Sequence, residues 1–146
     1  LALPTIFIGS NVDARSNVVG NTIREWYAKP KKYELLFVKN LPPDDFYHAL
    51  AQTACALGNS SSFIREGAFF GTPAVIVGSR QNKRERGENI IEVSANADEI
   101  VKAVKRQISH GRYKPNYLFG NGTAGEQIAT ILAKANPPVQ KTFYEA

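Results

Sequence analysis

Short apolar runs alternate with segments of helical periodicity along almost the whole chain, and this alternation narrows the fold more than any other feature. The runs are Pro4 to Gly9, Glu34 to Lys39, Cys55 to Gly58, Ala74 to Gly78 and Ile90 to Val93. Each is too short for an ordinary helix and ends in Gly, Asn, Lys or a polar turn. Between them, Asp13 to Lys29 puts Val19, Ile23, Trp26 and Tyr27 on one helical face and stops at Pro30. Pro42-Pro43-Asp44-Asp45 opens a second helix, with Phe46, Tyr47, Leu50 and Ala54 as its apolar face. Ser61 to Phe70 is a third, closed by Gly71 and followed by Pro73. Asp98 to Ser109 carries Ile100, Val101, Val104 and Ile108 on one stripe, and Ala124 to Ala135 carries Ile128, Ile131, Leu132 and Ala135. Strands alternating with helices predict an α/β fold: a parallel sheet, buried on both sides, with helices on both faces. The 146 residues form one domain, 1–146, with a C-terminal arm from about Asn136, where Pro137 and Pro138 end the last helix.

In parallel sheets of this kind, ligands sit beyond the C-terminal ends of the strands. The residues that follow strands are Asn11, Leu41, Asn59 to Ser62, and Arg80 to Asn89, and they are expected along one edge. Gly58-Asn59-Ser60-Ser61-Ser62 leads from a strand into a helix, and Glu66 follows in its first turns. Free amides and hydroxyls at such a turn attract phosphate, and a nearby carboxylate can accept from a ribose diol. The same serines serve equally well as helix caps, and Glu66 suits the helix dipole with no ligand at all. Arg80, Lys83, Arg84 and Arg86 stand in the loop after the next strand. They read either as solvated surface or as partners for a diphosphate, which the planar guanidinium matches in pairs of bonds.

The formal charge of +5 admits phosphate ligands, anionic membrane surfaces and nucleic acid alike. Glu85 and Glu88 break up the cations, and no aromatic–basic RNA motif is present, so nucleic acid is not expected as a partner. No apolar run approaches the roughly 20 residues of a membrane span. Cys55 is the only cysteine and lies in an apolar run, which reads as a buried small hydrophobe in a reducing, cytoplasmic setting. His48 and His110 have no ligand neighbours at metal spacing, so neither a metal nor a cofactor is expected. No nucleophile elbow, Cys–His pair or acid–base carboxylate pair is present, and no catalytic residue is assigned in this chain. There is no Met, and the chain opens on Leu1; it is read as a piece of a longer protein.

The ordered motifs Asn11-Val12-Asp13-Ala14, Lys39-Asn40-Leu41-Pro42, Gly58-Asn59-Ser60-Ser61, Arg65-Glu66-Gly67-Ala68-Phe69, Gly71-Thr72-Pro73, Arg80-Gln81-x-x-Arg84-Glu85-x-Gly87-x-Asn89 and Gly120-Asn121-Gly122 resemble the UDP-N-acetylglucosamine 2-epimerase family over nearly the whole chain. The Asn-Ser-Ser turn and the Arg-Gln loop are similar to its hydrolysing branch. The resemblance implies a Rossmann-like sheet forming the C-terminal half of a glycosyltransferase-B-like fold, with the catalytic N-terminal domain outside this chain. It implies conversion of UDP-N-acetylglucosamine to N-acetylmannosamine and UDP through a glycal, for sialic-acid-type sugars, by a whole protein expected to be a homo-oligomer. It also implies that Ser60 and Ser61 donate to the UDP phosphates and Glu66 accepts from the ribose. Asn11 and the backbone near Leu41 would line the nucleotide site, and Arg80 would neutralise the diphosphate. A glycosyltransferase of the same fold and a nucleic-acid-binding module are the rival readings.

Overall fold

The computed structural model describes residues 1–9, 16–29, 33–137 and 140. Asn11, the cap expected at Asp13, Pro30 and most of the C-terminal arm lie outside the described residues. Two strands and a helix open the chain: β1 (Thr5–Ile8), α1 (Ser16–Tyr27) and β2 (Leu35–Val38). β1 and β2 pair in parallel, with Thr5 opposite Leu35 and Ile8 opposite Val38. The ring of Phe37 stacks on Phe7, with centroids 5.7 Å apart, and meets Tyr27 of α1 at 5.8 Å.

The remaining strands, β3 (Ala56–Gly58), β4 (Ala74–Val77) and β5 (Ile90–Val93), form a parallel sheet in that order. Ala56 stands opposite Ala74, and Ala74 opposite Ile90. The expected parallel arrangement is present, but among the described residues it is divided into two sheets, β1–β2 and β3–β4–β5. β3 is only three residues long, and its outer edge pairs with no described strand. Leu57 on that edge remains 50% exposed.

β4 is the centre of the core. Ala74, Val75 and Ile76 are fully buried, and the two-residue period of a strand sends alternate side chains to opposite faces. Ala74 packs with Ala56 and with Leu50 of α2 (Pro43–Gln52), bordered by Phe46, Phe63, Phe70 and Ile90. Val75 packs with Ala103 and Val104 of α4 (Ala97–His110), bordered by Cys55, Ile91, Val93 and Ile100. Helices therefore cover both faces of this sheet. The 3₁₀ turn Ser61–Phe63 and α3 (Arg65–Phe70) lie on the α2 side. The single helix expected over Ser61 to Phe70 is thus two pieces, joined at Ile64.

Two expected apolar faces are shifted. Ala54 lies beyond α2, because Thr53 turns extended after Gln52. On α4, Gln107 is fully buried while Ile108 is 36% exposed. The cause is hydrogen bonding: Gln107 Nε2 donates to Ala74 O and Asn89 O, both at 2.8 Å, and its Oε1 accepts from Tyr113 Oη at 2.8 Å. A buried amide with three partners outcompetes an apolar side chain at that position. α4 begins at Asn96, whose Oδ1 accepts from the amides of Asp98 and Glu99.

Residues 112–116 tie α2, α3 and α4 together. Tyr113 N donates to Gly71 O, and Asn116 N to Ala68 O. The Arg112 guanidinium donates to Phe70 O and Thr53 O, at the ends of α3 and α2. The last helix, α5 (Ala124–Lys134), keeps Ile128, Ile131 and Leu132 more than half exposed.

Candidate nucleotide site

Parallel pairing of β3 and β4 sets the loops after them side by side. The first loop begins at Gly58 and turns through Asn59 into the 3₁₀ turn. Ser60 is extended (φ −73, ψ 138), and its Oγ accepts from Ser62 N at 3.3 Å. The capping role anticipated for these serines is therefore real for Ser60. Ser61 makes no side-chain hydrogen bond among the described residues, so its hydroxyl is not consumed by the cap. The second loop leaves β4 at Gly78 and runs through Arg80 and Gln81 to Asn89. Gln81 Nε2 donates to Asn59 O at 2.7 Å, joining the basic loop to the serine turn.

Asn89 closes the same unit from below. It is 3% exposed, and its Nδ2 donates to Thr72 O at 2.8 Å and to Phe63 O at 3.4 Å. Thr72, fully buried, donates through Oγ1 to Leu50 O at 2.7 Å. Gly71-Thr72-Pro73 is thus a structural knot under the site rather than a wall of it. Arg86 braces the loop on the far side: it forms an ion pair with Glu92 of β5 and donates to Gln81 O at 3.3 Å.

Glu66 stands in the first turn of α3 and lines a hollow of about 340 Å³ with Arg65, Phe69, Phe119, Gly120, Gly122 and Ala124. Its Oε2 is buried and has no hydrogen-bond partner among the described residues. A buried carboxylate oxygen without a donor is costly, on the order of 1–3 kcal/mol or more for a charged group. A ligand hydroxyl would supply the missing donor. A larger hollow of about 490 Å³ lies at the ends of β4 and β5, lined by Ser79, Asn82, Glu92, Ser94 and Glu99 among others. Glu92 is paired with Arg86 and Glu99 accepts from Ser94. Its carboxylates disfavour a diphosphate; the smaller hollow includes Glu66, but neither Ser60, Ser61 nor Arg80 lines it.

Ser60, Ser61, Glu66 and Arg80 therefore fall on two neighbouring loops and the helix that one of them starts. Leu41 follows β2, in the other sheet, and no described contact joins it to the serine turn. Asn11 lies outside the described residues. Sequence reasoning missed Gln81 as a tie between the loops, Arg65 as a cation on the hollow, and Phe119 to Gly122 as its wall. The position of Gln81 immediately after Arg80 was the available signal, and Gly120-Asn121-Gly122 entered only as a motif of the family resemblance, with no site role. Cys55 packs at the α4 face, and burial pushes its thiol up to about 11, in keeping with an inert core side chain. His110 stacks on Tyr113 at 3.9 Å. Among the described residues no three His, Cys, Asp or Glu side chains are grouped to hold a metal, and no helix is long and apolar enough to cross a membrane.

Residues 2–133 match the family model described as UDP-N-acetylglucosamine 2-epimerase. A Legionella pneumophila protein named UDP-N,N'-diacetylbacillosamine 2-epimerase (hydrolyzing) is 32% identical over 130 residues, covering 89% of this chain and 34% of that protein. A Neisseria meningitidis UDP-N-acetylglucosamine 2-epimerase is 32% identical over 95 residues, 61% of this chain and 25% of that protein. A Campylobacter jejuni GDP/UDP-N,N'-diacetylbacillosamine 2-epimerase (hydrolyzing) is 32% identical over 91 residues, 62% of this chain and 23% of that protein. The chain thus spans about a third or less of the length of the curated relatives it matches. With a family match over nearly its full length and an α/β fold of parallel sheets flanked by helices, the chain belongs to the UDP-N-acetylglucosamine 2-epimerase family.

Proposed function

We propose that this chain is the UDP-holding, C-terminal domain of a hydrolysing epimerase that converts UDP-N-acetylglucosamine to N-acetylmannosamine and UDP. The single observation that carries the reading is the serine turn tied to the basic loop through Gln81, with Glu66 on the helix that follows lining a hollow and holding one carboxylate oxygen buried without a partner. The names of the relatives support the hydrolysing branch, and the motif order supports the C-terminal placement.

In this reading Ser61 and the exposed amides of the turn donate to phosphate oxygens, with Ser60 dividing its hydroxyl between cap and ligand. Arg80 offsets the diphosphate charge. Glu66 accepts from the ribose hydroxyls. Asn11 and the backbone near Leu41 complete the nucleotide wall. The chemistry begins with loss of the C2 proton to a base and cleavage of the C1–O bond, with UDP leaving and a 1,2-glycal remaining. Water then adds across that double bond, placing hydroxyl on C1 and hydrogen on the opposite face of C2. The proton-transfer groups belong to a domain outside this chain, which closes over the sugar and keeps water out until the addition step. This chain contributes binding and charge neutralisation of the leaving group, and those are transition-state terms because negative charge grows on the diphosphate as C1–O breaks.

Product analysis of the whole protein tests the proposal. Incubation with UDP-N-acetylglucosamine is expected to release free N-acetylmannosamine and UDP in equal amounts. Transfer of the sugar to an acceptor, or formation of the UDP-linked 2-epimer with no free sugar, would overturn it.

A further inference from the structure

We infer that Gln81 is a positioning residue whose buried amide fixes the serine turn relative to the basic loop, and so sets how Ser60, Ser61 and Arg80 meet one diphosphate. The inference rests on the UDP reading above. Gln81 is 3% exposed, whereas Asn82 through Glu85 beside it are exposed. Its Nε2 donates to Asn59 O at 2.7 Å, one residue before Ser60. Its main-chain oxygen accepts from Arg86 Nη2 at 3.3 Å, and Arg86 is ion-paired with Glu92 on β5. A continuous path of polar contacts therefore runs from β5 through Arg86 and Gln81 to the turn before Ser60.

The chemistry of the position selects a neutral donor. A carbonyl oxygen needs an N–H or O–H partner, and a lysine or arginine there would bury a full charge. The amide cannot turn over without setting Oε1 against the Asn59 carbonyl, two acceptors face to face. Held that way round, Gln81 Oε1 is buried with no partner among the described residues. An apolar side chain of like volume would remove that penalty and leave Asn59 O, on an exposed residue, to bond with water, so stability alone does not favour glutamine here. What the amide adds is a fixed register between two loops, which a bidentate anion site requires.

The test is UDP titration by calorimetry of the whole protein, as wild type, Gln81→Met and Gln81→Glu, from about pH 5 to pH 8, with thermal melting of each. Wild type binds UDP. Gln81→Met, which has no donor, is expected to bind about tenfold more weakly while melting no lower than wild type. Gln81→Glu is expected to bind weakly at pH 8, where a carboxylate would face the Asn59 carbonyl. Its affinity relative to wild type should recover as pH falls and the acid O–H becomes a donor; the ratio removes the titration of UDP itself. Wild-type affinity in both variants across the range overturns the positioning role and leaves the UDP reading standing. A loss in Gln81→Met matched by a lower melting temperature, with no pH-dependent recovery in Gln81→Glu, reduces Gln81 to a structural residue and also overturns it. No UDP binding by the wild type overturns the parent reading and this one with it.

Discussion

Glu66 concentrates the functional claim in a single side chain. Glu66 lines a hollow and its Oε2 is buried without a partner, so removing it leaves no native donor stranded. Glu66→Ala is therefore expected to leave the melting temperature near wild type and to weaken UDP binding about 10- to 100-fold, as for hydrogen bonds to a charged group; calorimetry and circular dichroism read the two effects separately. Ser60 behaves differently, because its hydroxyl already caps the 3₁₀ turn. Ser60→Ala is expected to lose about 1 kcal/mol of stability together with affinity, whereas Ser61→Ala should lose affinity alone. Cys55 supplies a pH prediction. Its folded pKa of about 11 lies above the ordinary thiol value of 9.0, so the folded state holds the proton that the unfolded state releases. Its contribution is fully present below pH 9 and is lost as pH rises through about 11. Cys55→Ala should flatten that alkaline decline in urea titrations. Residue types alone singled out Ser60, Ser61, Glu66 and Arg80 as candidates, with helix capping and solvated surface as equal readings, and the family resemblance supplied their expected roles. Residue types could not identify Gln81, Asn89 or Gln107: an amide's role depends on what it is buried against, and burial of a polar side chain leaves no periodic trace.

The elements were legible where a local rule dominates. Pro43 and the acids after it start α2, and Gly71 ends α3 at φ 65 in the left-handed region, whereas the Asn96 cap of α4 was missed, its helix being expected from Asp98. Gly71 is also required by its surroundings. A Cβ there would lie 2.1 Å from Tyr113 O, main chain that cannot step aside while Tyr113 N holds Gly71 O. Gly71→Ala is expected to cost more than about 2 kcal/mol and to lower the melting temperature by several degrees. Arg112→Ala should be milder, since Phe70 O and Thr53 O lie at the surface and the buried Thr72 Oγ1 keeps its own bond to Leu50 O. Periodicity failed where tertiary hydrogen bonds intervene. It placed Ile108 on the buried stripe of α4, where Gln107 holds the core instead, and it merged the 3₁₀ turn with α3, which begins only after Ile64.

At the scale of the molecule, alternation of strands and helices predicted the parallel class, and both faces of β3–β4–β5 are covered as expected. It did not predict the division into two sheets among the described residues, because strand pairing is a long-range choice that no short window of sequence records. The site is built on the well-packed sheet: the fully buried β4 and its neighbour β3 carry the two loops that meet through Gln81 and Asn59. A rigid sheet holding two loops in register suits recognition of one extended anion better than an open basic surface does. The most direct measurement is calorimetric titration of the whole protein with UDP, repeated with Glu66→Ala. Saturable one-to-one binding by wild type, weakened at least tenfold in the variant with its fold intact, is the predicted result. No heat with UDP at millimolar concentration, or equal affinity in the two proteins, would contradict it.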